Sequence, residues 1–273
     1  MAADMKDFLQ EDMGVEDVTT NAVVPQNHRS RAKIIAKADG VLAGQDYAAL
    51  VFRELDENID YRALKKDGER ISRGDTAALI EGKTRAILTG ERVALNILQR
   101  LSGIATVTAR FVHAVQGTDA KILDTRKTAP GLRYLEKYAV RMGGGFNHRI
   151  DLTEMALIKE NHISAASSIK EAVKKVKAYA AVPVEVEVRN MDELREAIEE
   201  PVDRIMLDNW DLEATRQAVA LVGRKVPLEA SGNMTLERVA EVARTGVDFI
   251  SVGALTHSFN ALDLSLLYEA SAS

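Results

Sequence analysis

From Gly117 onward, short β-prone runs alternate with amphipathic helices, and that alternation constrains the fold more than any other feature. The candidate strands are Lys121–Leu123, Met155–Ile158, Val184–Val188, Arg204–Leu207, Val226–Glu229 and Phe249–Val252. Helical spacing between them carries Ile169, Val173 and Val176, then Leu194 with Ile198, Leu212 with Val219, and Leu236 with Val239. Parallel neighbours need a crossover, so strands separated by single helices predict a parallel sheet. The late strands recur roughly every 21 to 23 residues, which suits a small (β/α) barrel better than a Rossmann sheet. No dinucleotide fingerprint supports the latter. Gly143-Gly144-Gly145 follows a charged, helix-like stretch rather than a strand, and reads as a sharp turn or an anion cradle.

The first ~85 residues have a different texture. Ala32–Ala38, Val41–Ala43 and Thr76–Ile80 are β-prone, and turns are signalled at Asp39-Gly40, Asp67-Gly68 and Arg73-Gly74. The turn pair from Lys66 to Asp75 is shaped like a biotinyl or lipoyl carrier hairpin but displays no carrier lysine, so a structural sandwich is expected. From Thr89 the period turns helical through Val93, Ile97, Leu101, Ile104, Thr108, Phe111 and Val115. A helix that long is expected to join two domains or to form a subunit contact.

In a parallel barrel, chemistry gathers where strands end. Here the six ends read Asp124-Thr125-Arg126-Lys127, Lys159-Glu160-Asn161-His162, Glu187, Asp208-Asn209, Glu229-Ala230-Ser231-Gly232-Asn233 and Gly253-Ala254-Leu255-Thr256-His257. Six polar endings in register predict one site. Between Arg126 and His162 stand seven Lys/Arg and four Asp/Glu, a surplus of three positive charges in a chain of net charge −5. That local excess suggests a small polyanion, because arginine forks match carboxylate and phosphate oxygens. Arg133, Glu136 and Lys137 are expected to be a solvated helix face instead. Strand alternation puts Glu185 and Glu187 on one face, where Glu187 with Asp208 could pair with rim cations, bind sugar hydroxyls or hold Mg²⁺. Lys159 could be a Schiff-base nucleophile or a charge gripping a carboxylate. His148, His162 and His257 lie in rim segments, whereas His28 and His113 read as surface or packing residues.

Composition closes other routes. The absence of cysteine excludes disulfides, thiolate chemistry and cysteine-held metals. The acidic balance argues against a general nucleic-acid binder. The N-terminal segment Met1-Ala2-Ala3-Asp4-Met5-Lys6-Asp7 lacks a signal peptide's apolar core, and no apolar run approaches the roughly 18 residues of a membrane span. A cytoplasmic protein that binds neither nucleic acid nor membrane is expected.

The chain resembles the quinolinate phosphoribosyltransferase family. The resemblance rests on Glu91-Arg92-Val93-Ala94-Leu95-Asn96, Gln99-Arg100-Leu101-Ser102-Gly103-Ile104-Ala105-Thr106, Asp124-Thr125-Arg126-Lys127-Thr128 and Asn147-His148-Arg149. It continues through Leu157-Ile158-Lys159-Glu160-Asn161-His162, Val186-Glu187-Val188, Leu207-Asp208-Asn209 and Ser251-Val252-Gly253-Ala254-Leu255-Thr256-His257. The resemblance implies an N-terminal α/β sandwich (1–105), rejoined by a C-terminal helix (259–273), and an incomplete, open α/β barrel of parallel strands (106–258). It implies formation of nicotinate mononucleotide from quinolinate and phosphoribosyl pyrophosphate with Mg²⁺, pyrophosphate and carbon dioxide being released. It also implies a homodimer with shared active sites, extending in some cases to a hexamer. Residue by residue, Arg92 resembles an arginine lent across the dimer. Arg126, His148, Arg149 and Lys159 resemble quinolinate binders, and Lys127 a polyphosphate contact. Glu187 and Asp208 resemble the ribose and Mg²⁺ carboxylates and, with Lys159, the catalytic set. Ser231, Gly253 and His257 resemble phosphate-side contacts, with Gly232 and Ala254 beside them as further substrate-binding positions. A molybdenum-associated protein of the same fold is disfavoured by the intact Lys159–His162 segment, and a Schiff-base aldolase using Lys159 is the other alternative.

Overall fold

Local pattern and backbone agree over most of the chain in the computed structural model, which describes residues 5–269. In chain order the elements begin α1 (Met5–Met13), α2 (Val18–Val23), β1 (Arg29–Ala36), β2 (Gly40–Val41), α3 (Gln45–Leu55), β3 (Asp60–Ala63), β4 (Arg70–Ile71), β5 (Thr76–Lys83) and the 31-residue α4 (Thr84–Ala114). They continue β6 (Lys121–Leu123), α5 (Arg133–Met142), β7 (Ala156–Ile158), α6 (Glu160–Ala166), α7 (Ile169–Tyr179), β8 (Val184–Val188) and α8 (Met191–Ile198). The last are β9 (Arg204–Asp208), α9 (Leu212–Val222), β10 (Leu228–Ser231), α10 (Leu236–Ala243), β11 (Phe249–Ser251), α11 (Ala254–His257) and β12 (Leu264–Glu269).

The chain divides into two compact units. The first takes the residues up to Ala109, Ala129–Gly144 and those from Phe259 on. Its four-stranded sheet has the order β12-β1-β5-β3 and is antiparallel throughout. Period-2 alternation in β1 buries Ser30, Ala32, Ile34 and Ala36 and leaves Arg29 and Arg31 in solvent. Asp17 caps α2 by accepting from the Thr20 N–H and also accepts from the Thr89 hydroxyl, so the Asp17–Thr20 segment is tied to α4. On α4, Ser102 and Thr106 accept the backbone N–H groups of Ala43 and Val41. Gly103 lets the chain approach closely, because a Cβ there would lie 2.3 Å from the Asn260 carbonyl oxygen.

Two expectations are corrected in this unit. The expected C-terminal helix is strand β12 over the described residues 264–269, paired antiparallel with β1 from Ala36↔Leu264 to Arg31↔Glu269. Hydrogen bonds to an open sheet edge outweigh the mild helix preference of Leu264, Leu266 and Leu267; residues 270–273 lie outside the described region. Glu136 and Lys137 are not solvated either. Both are buried, and Glu136 holds the Arg100 guanidinium and the Ala129 N–H. The glycine run serves close packing and turning: a Cβ on Gly143 would lie 2.4 Å from the Ala105 carbonyl oxygen, and Gly144 has φ +84°.

The second unit, Arg110–Thr128 with Gly145–Ser258, holds a six-stranded parallel sheet in the order β6-β11-β10-β9-β8-β7. Strands β7 to β11 pair in sequence order, β6 closes against β11, and β6 and β7 remain the two edges. The sheet is an open barrel. Four of its helices, α7 to α10, start at side-chain caps on Ser168, Asn190, Asp211 and Thr235, which satisfy N–H groups of the first turn. Among the described residues no helix is long and apolar enough to cross a membrane.

Candidate active site

The C-terminal strand ends of the barrel unit surround a cavity of about 750 Å³. Its wall includes Arg126, Lys127, His148, Arg149, Lys159, Glu187, Asp208, Ser231, Gly232, Gly253, Ala254 and His257. The barrel positions that the resemblance assigns to binding and catalysis therefore meet in one place, whereas His162 is not part of the cavity wall. Arg92 does not join them: it is an exposed residue of α4 in the other unit. A second cavity of about 500 Å³ lies at the opposite strand ends, beside Asp119, Pro227 and Asp248, where barrel chemistry does not gather.

The cationic side is fastened by backbone contacts. Asp124, buried at the end of β6, accepts from the His148 N–H at 2.9 Å and from Asn147 Nδ2 at 2.6 Å. This pins the loop that carries Arg149, whose Nη1 also donates to the Met155 carbonyl at 2.8 Å. Burial, and then the neighbouring Arg126 charge, push the Arg149 guanidinium pKa down. Arg126 Nε is itself buried without a hydrogen-bond partner. Two adjacent guanidiniums held this way are a site prepared for an anion.

Lys159 directly follows β7, and its Nζ lies 2.5 Å from Glu187 Oε2. His162 is turned to local work, its Nδ1 accepting the Lys159 N–H at the start of α6. On the carboxylate side, β8 delivers Glu187 and β9 delivers Asp208, whose Oδ2 accepts from Asn209 Nδ2 at 3.0 Å. Hard carboxylate oxygens opening on a polar cavity are the donor set Mg²⁺ takes, so these two residues fit that ion. Gly253 keeps the far wall open: a Cβ there would come within 3.0 Å of His257 Nε2 and 3.1 Å of Lys127 Cδ.

With this geometry in view, the comparisons are decisive. Residues 17–102 match the model for the quinolinate phosphoribosyl transferase N-terminal domain and residues 104–267 that for its C-terminal domain. The chain belongs to the quinolinate phosphoribosyltransferase family. Relatives include the nicotinate-nucleotide pyrophosphorylase (carboxylating) of Mycobacterium leprae, 45% identical over 92% of this chain and 90% of that one. A second is quinolinate phosphoribosyltransferase (decarboxylating) 2b, mitochondrial, of Nicotiana tabacum, 42% identical over 96% of this chain and 80% of its own length. The solved nicotinate-nucleotide pyrophosphorylase of Francisella tularensis superposes with a TM-score of 0.93 at 44% identity, covering 97% of this chain and 94% of that one.

In this phosphoribosyltransferase the cavity floor holds a buried network that motif reading only half anticipates. Glu185, on the same face of β8 as Glu187, and Glu229 of β10 are both fully buried. His148 Nε2 lies 2.9 Å from Glu185 Oε2 and 3.5 Å from Glu229 Oε2, and Arg204 Nη1 donates to Glu229 at 2.8 Å. Burial pushes the Glu185 carboxyl pKa up; burial and the Glu185 charge push that of Glu229 up to about 7. By spacing alone His148, Glu185 and Glu229 could pass for metal ligands. The tautomer opposes this: His148 Nδ1 accepts the Arg149 N–H, which leaves the ring proton on the Nε2 that faces the carboxylates. Arg204 carried no motif signal, since it only opens a strand, and Ser251, although it begins one of the motifs, was given no role there.

Proposed function

We propose that this chain transfers the phosphoribosyl group of phosphoribosyl pyrophosphate to quinolinate, giving nicotinate mononucleotide, pyrophosphate and carbon dioxide. The observation that carries this reading is one cavity with a cationic side and a carboxylate side. Quinolinate has two adjacent carboxylates, and Arg126, Arg149 and Lys159 offer them charge-assisted donors. An incoming dianion also relieves the repulsion between the two guanidiniums. His148 acts by orienting the loop, and Lys127, Ser231, Gly232, Gly253, Ala254 and His257 form the phosphate end.

As the bond from ribose C1′ to the pyrophosphate oxygen breaks, positive charge develops on the ribose ring. Glu187 and Asp208 stabilise that charge, which exists only on the way to the transition state. Glu187 and Asp208 would also hold Mg²⁺, which would supply positive charge for the pyrophosphate leaving group. The pyridine nitrogen then bonds to C1′. The alkylated ring is cationic, so the carboxylate beside nitrogen leaves as carbon dioxide, its bonding pair stays on carbon, and a proton takes its place. We place Arg92 in the cavity of a neighbouring subunit, in a cytoplasmic homodimer that shares its active sites. The aldolase alternative is opposed by the Lys159–Glu187 pair, which engages the lysine nitrogen with a carboxylate.

The test is a product assay with quinolinate, phosphoribosyl pyrophosphate and Mg²⁺. Nicotinate mononucleotide and carbon dioxide should appear in equal amounts, and nicotinate should be a poor replacement for quinolinate. Equal turnover of nicotinate would refute the two-carboxylate reading.

A further inference from the structure

The loops after β9 and β10 carry two asparagines in the left-handed region, Asn209 at φ +58° and Asn233 at φ +48°. Asparagine tolerates that region better than most residues, but it persists there only where surroundings require it. Here they do. Asn209 N–H donates to the Ser231 carbonyl at 2.9 Å, which continues the β9–β10 ladder one residue past the Asp208↔Ser231 pair. Asn233 Nδ2 donates to Asn209 Oδ1 at 3.2 Å, and Asn209 Nδ2 donates to Asp208 Oδ2 at 3.0 Å. Gly232 stands between with φ +98°; a Cβ there would lie 2.1 Å from Asn209 Oδ1. Arg238 closes the arrangement from behind, donating to the Trp210 carbonyl at 2.7 Å and the Gly232 carbonyl at 3.3 Å.

A chain of amide hydrogen bonds thus runs from one strand-end loop to the other and stops on the Asp208 carboxylate. From this geometry we infer that Asn209 is a positioning residue for Asp208, with Asn233 and Gly232 fixing Asn209 in turn. Asn209 Nδ2 holds one carboxylate oxygen, which selects a single orientation and aims the other at the cavity. The inference rests on the proposed role of Asp208 and adds that this role depends on a neighbour through a hydrogen bond that costs a strained backbone. It also explains why the β10 loop needs glycine: the missing Cβ leaves room for the asparagine amide.

The test uses the full chain and two variants. Asn209→Asp keeps the size, the acceptor for Asn233 and the tolerance for φ > 0, but places an oxygen where Asp208 needs a donor. Asn209→Gly relieves the backbone and deletes the amide. Turnover with quinolinate, phosphoribosyl pyrophosphate and Mg²⁺ should fall about tenfold or more in both, a barrier change of about 1.4 kcal/mol per tenfold. The KM for quinolinate should stay within about twofold, and the unfolding midpoint of the metal-free protein should stay within a few degrees. A merely structural role would lower the midpoint and affect both substrates alike. Wild-type turnover in both variants, or a raised quinolinate KM at unchanged turnover, would overturn the inference and leave the function standing. An inactive wild-type chain would overturn the function and this inference together.

Discussion

Replacing Glu229 by glutamine keeps the side chain's volume and removes a carboxyl group that titrates in an unusual range. The residue is fully buried; burial first, and Glu185 second, push its pKa from 4.5 up to about 7, against the opposing pull of His148, Ser251 and Arg204. The folded state therefore binds this proton more tightly than the unfolded state does. The resulting stabilisation is fully present below about pH 4.5 and is lost as the pH rises through about 7. At about 1.4 kcal/mol per pKa unit, the displacement amounts to about 3 kcal/mol. Glu185 is raised in the same network, so this figure is a ceiling for Glu229 alone. Urea unfolding at pH 5 and pH 8 measures it, followed by fluorescence of Trp210, the chain's single tryptophan, buried in the barrel unit. Between those pH values the wild type should lose up to about 3 kcal/mol more than Glu229→Gln does, and contributions common to both proteins cancel in the difference. Parallel losses would show that Glu229 ionises in the folded protein as it does in the unfolded chain, and would refute the buried-network argument.

Lys159→Ala or Arg149→Ala removes a charge-assisted contact worth on the order of 1.5–3 kcal/mol, so quinolinate affinity should fall roughly ten- to a hundredfold in titrations. Glu187→Ala and Asp208→Ala should instead depress turnover at saturation, and wild-type turnover with weakened quinolinate binding would reverse the assigned roles. Mixed dimers of Arg92→Ala and Lys159→Ala subunits should regain part of the activity if Arg92 acts across subunits; no recovery in proven heterodimers would end that idea. Gly103→Ala drives a methyl against the Asn260 carbonyl and should cost about 1–3 kcal/mol, read as a lowered unfolding midpoint with the quinolinate KM unchanged.

Most of the site was legible because parallel α/β architecture turns sequence position into spatial position. Asp208 and Ser231 are 23 residues apart, yet each closes a strand, and the register pairs them directly. The cations of the β6 and β7 ends were legible for the same reason, since adjacent charges such as Arg126-Lys127 rarely serve packing. The network beneath them was harder to see. Glu185 announced itself through alternation with Glu187, but Arg204 opens its strand and looks like an ordinary surface arginine until Glu229 is found beside it.

Periodicity by itself determined the strand–helix alternation, the parallel order and the rim on which polar residues gather, because those depend on contacts each segment makes with its immediate neighbours in sequence. Tertiary structure alone decided the rest. Leu264–Glu269 is a strand because the free edge of β1, over two hundred residues earlier in the chain, supplies its hydrogen bonds. Glu136 is a buried ion-pair partner, not a solvated one, because Arg100 of another helix reaches it. The left-handed backbone at Asn209 exists because the next loop donates to its side chain and leaves out a Cβ to make room. In each case the deciding partner is remote in sequence, and local propensities of a few tenths of a kcal/mol yield to hydrogen bonds and charges whose burial costs several times more when they are left unmade.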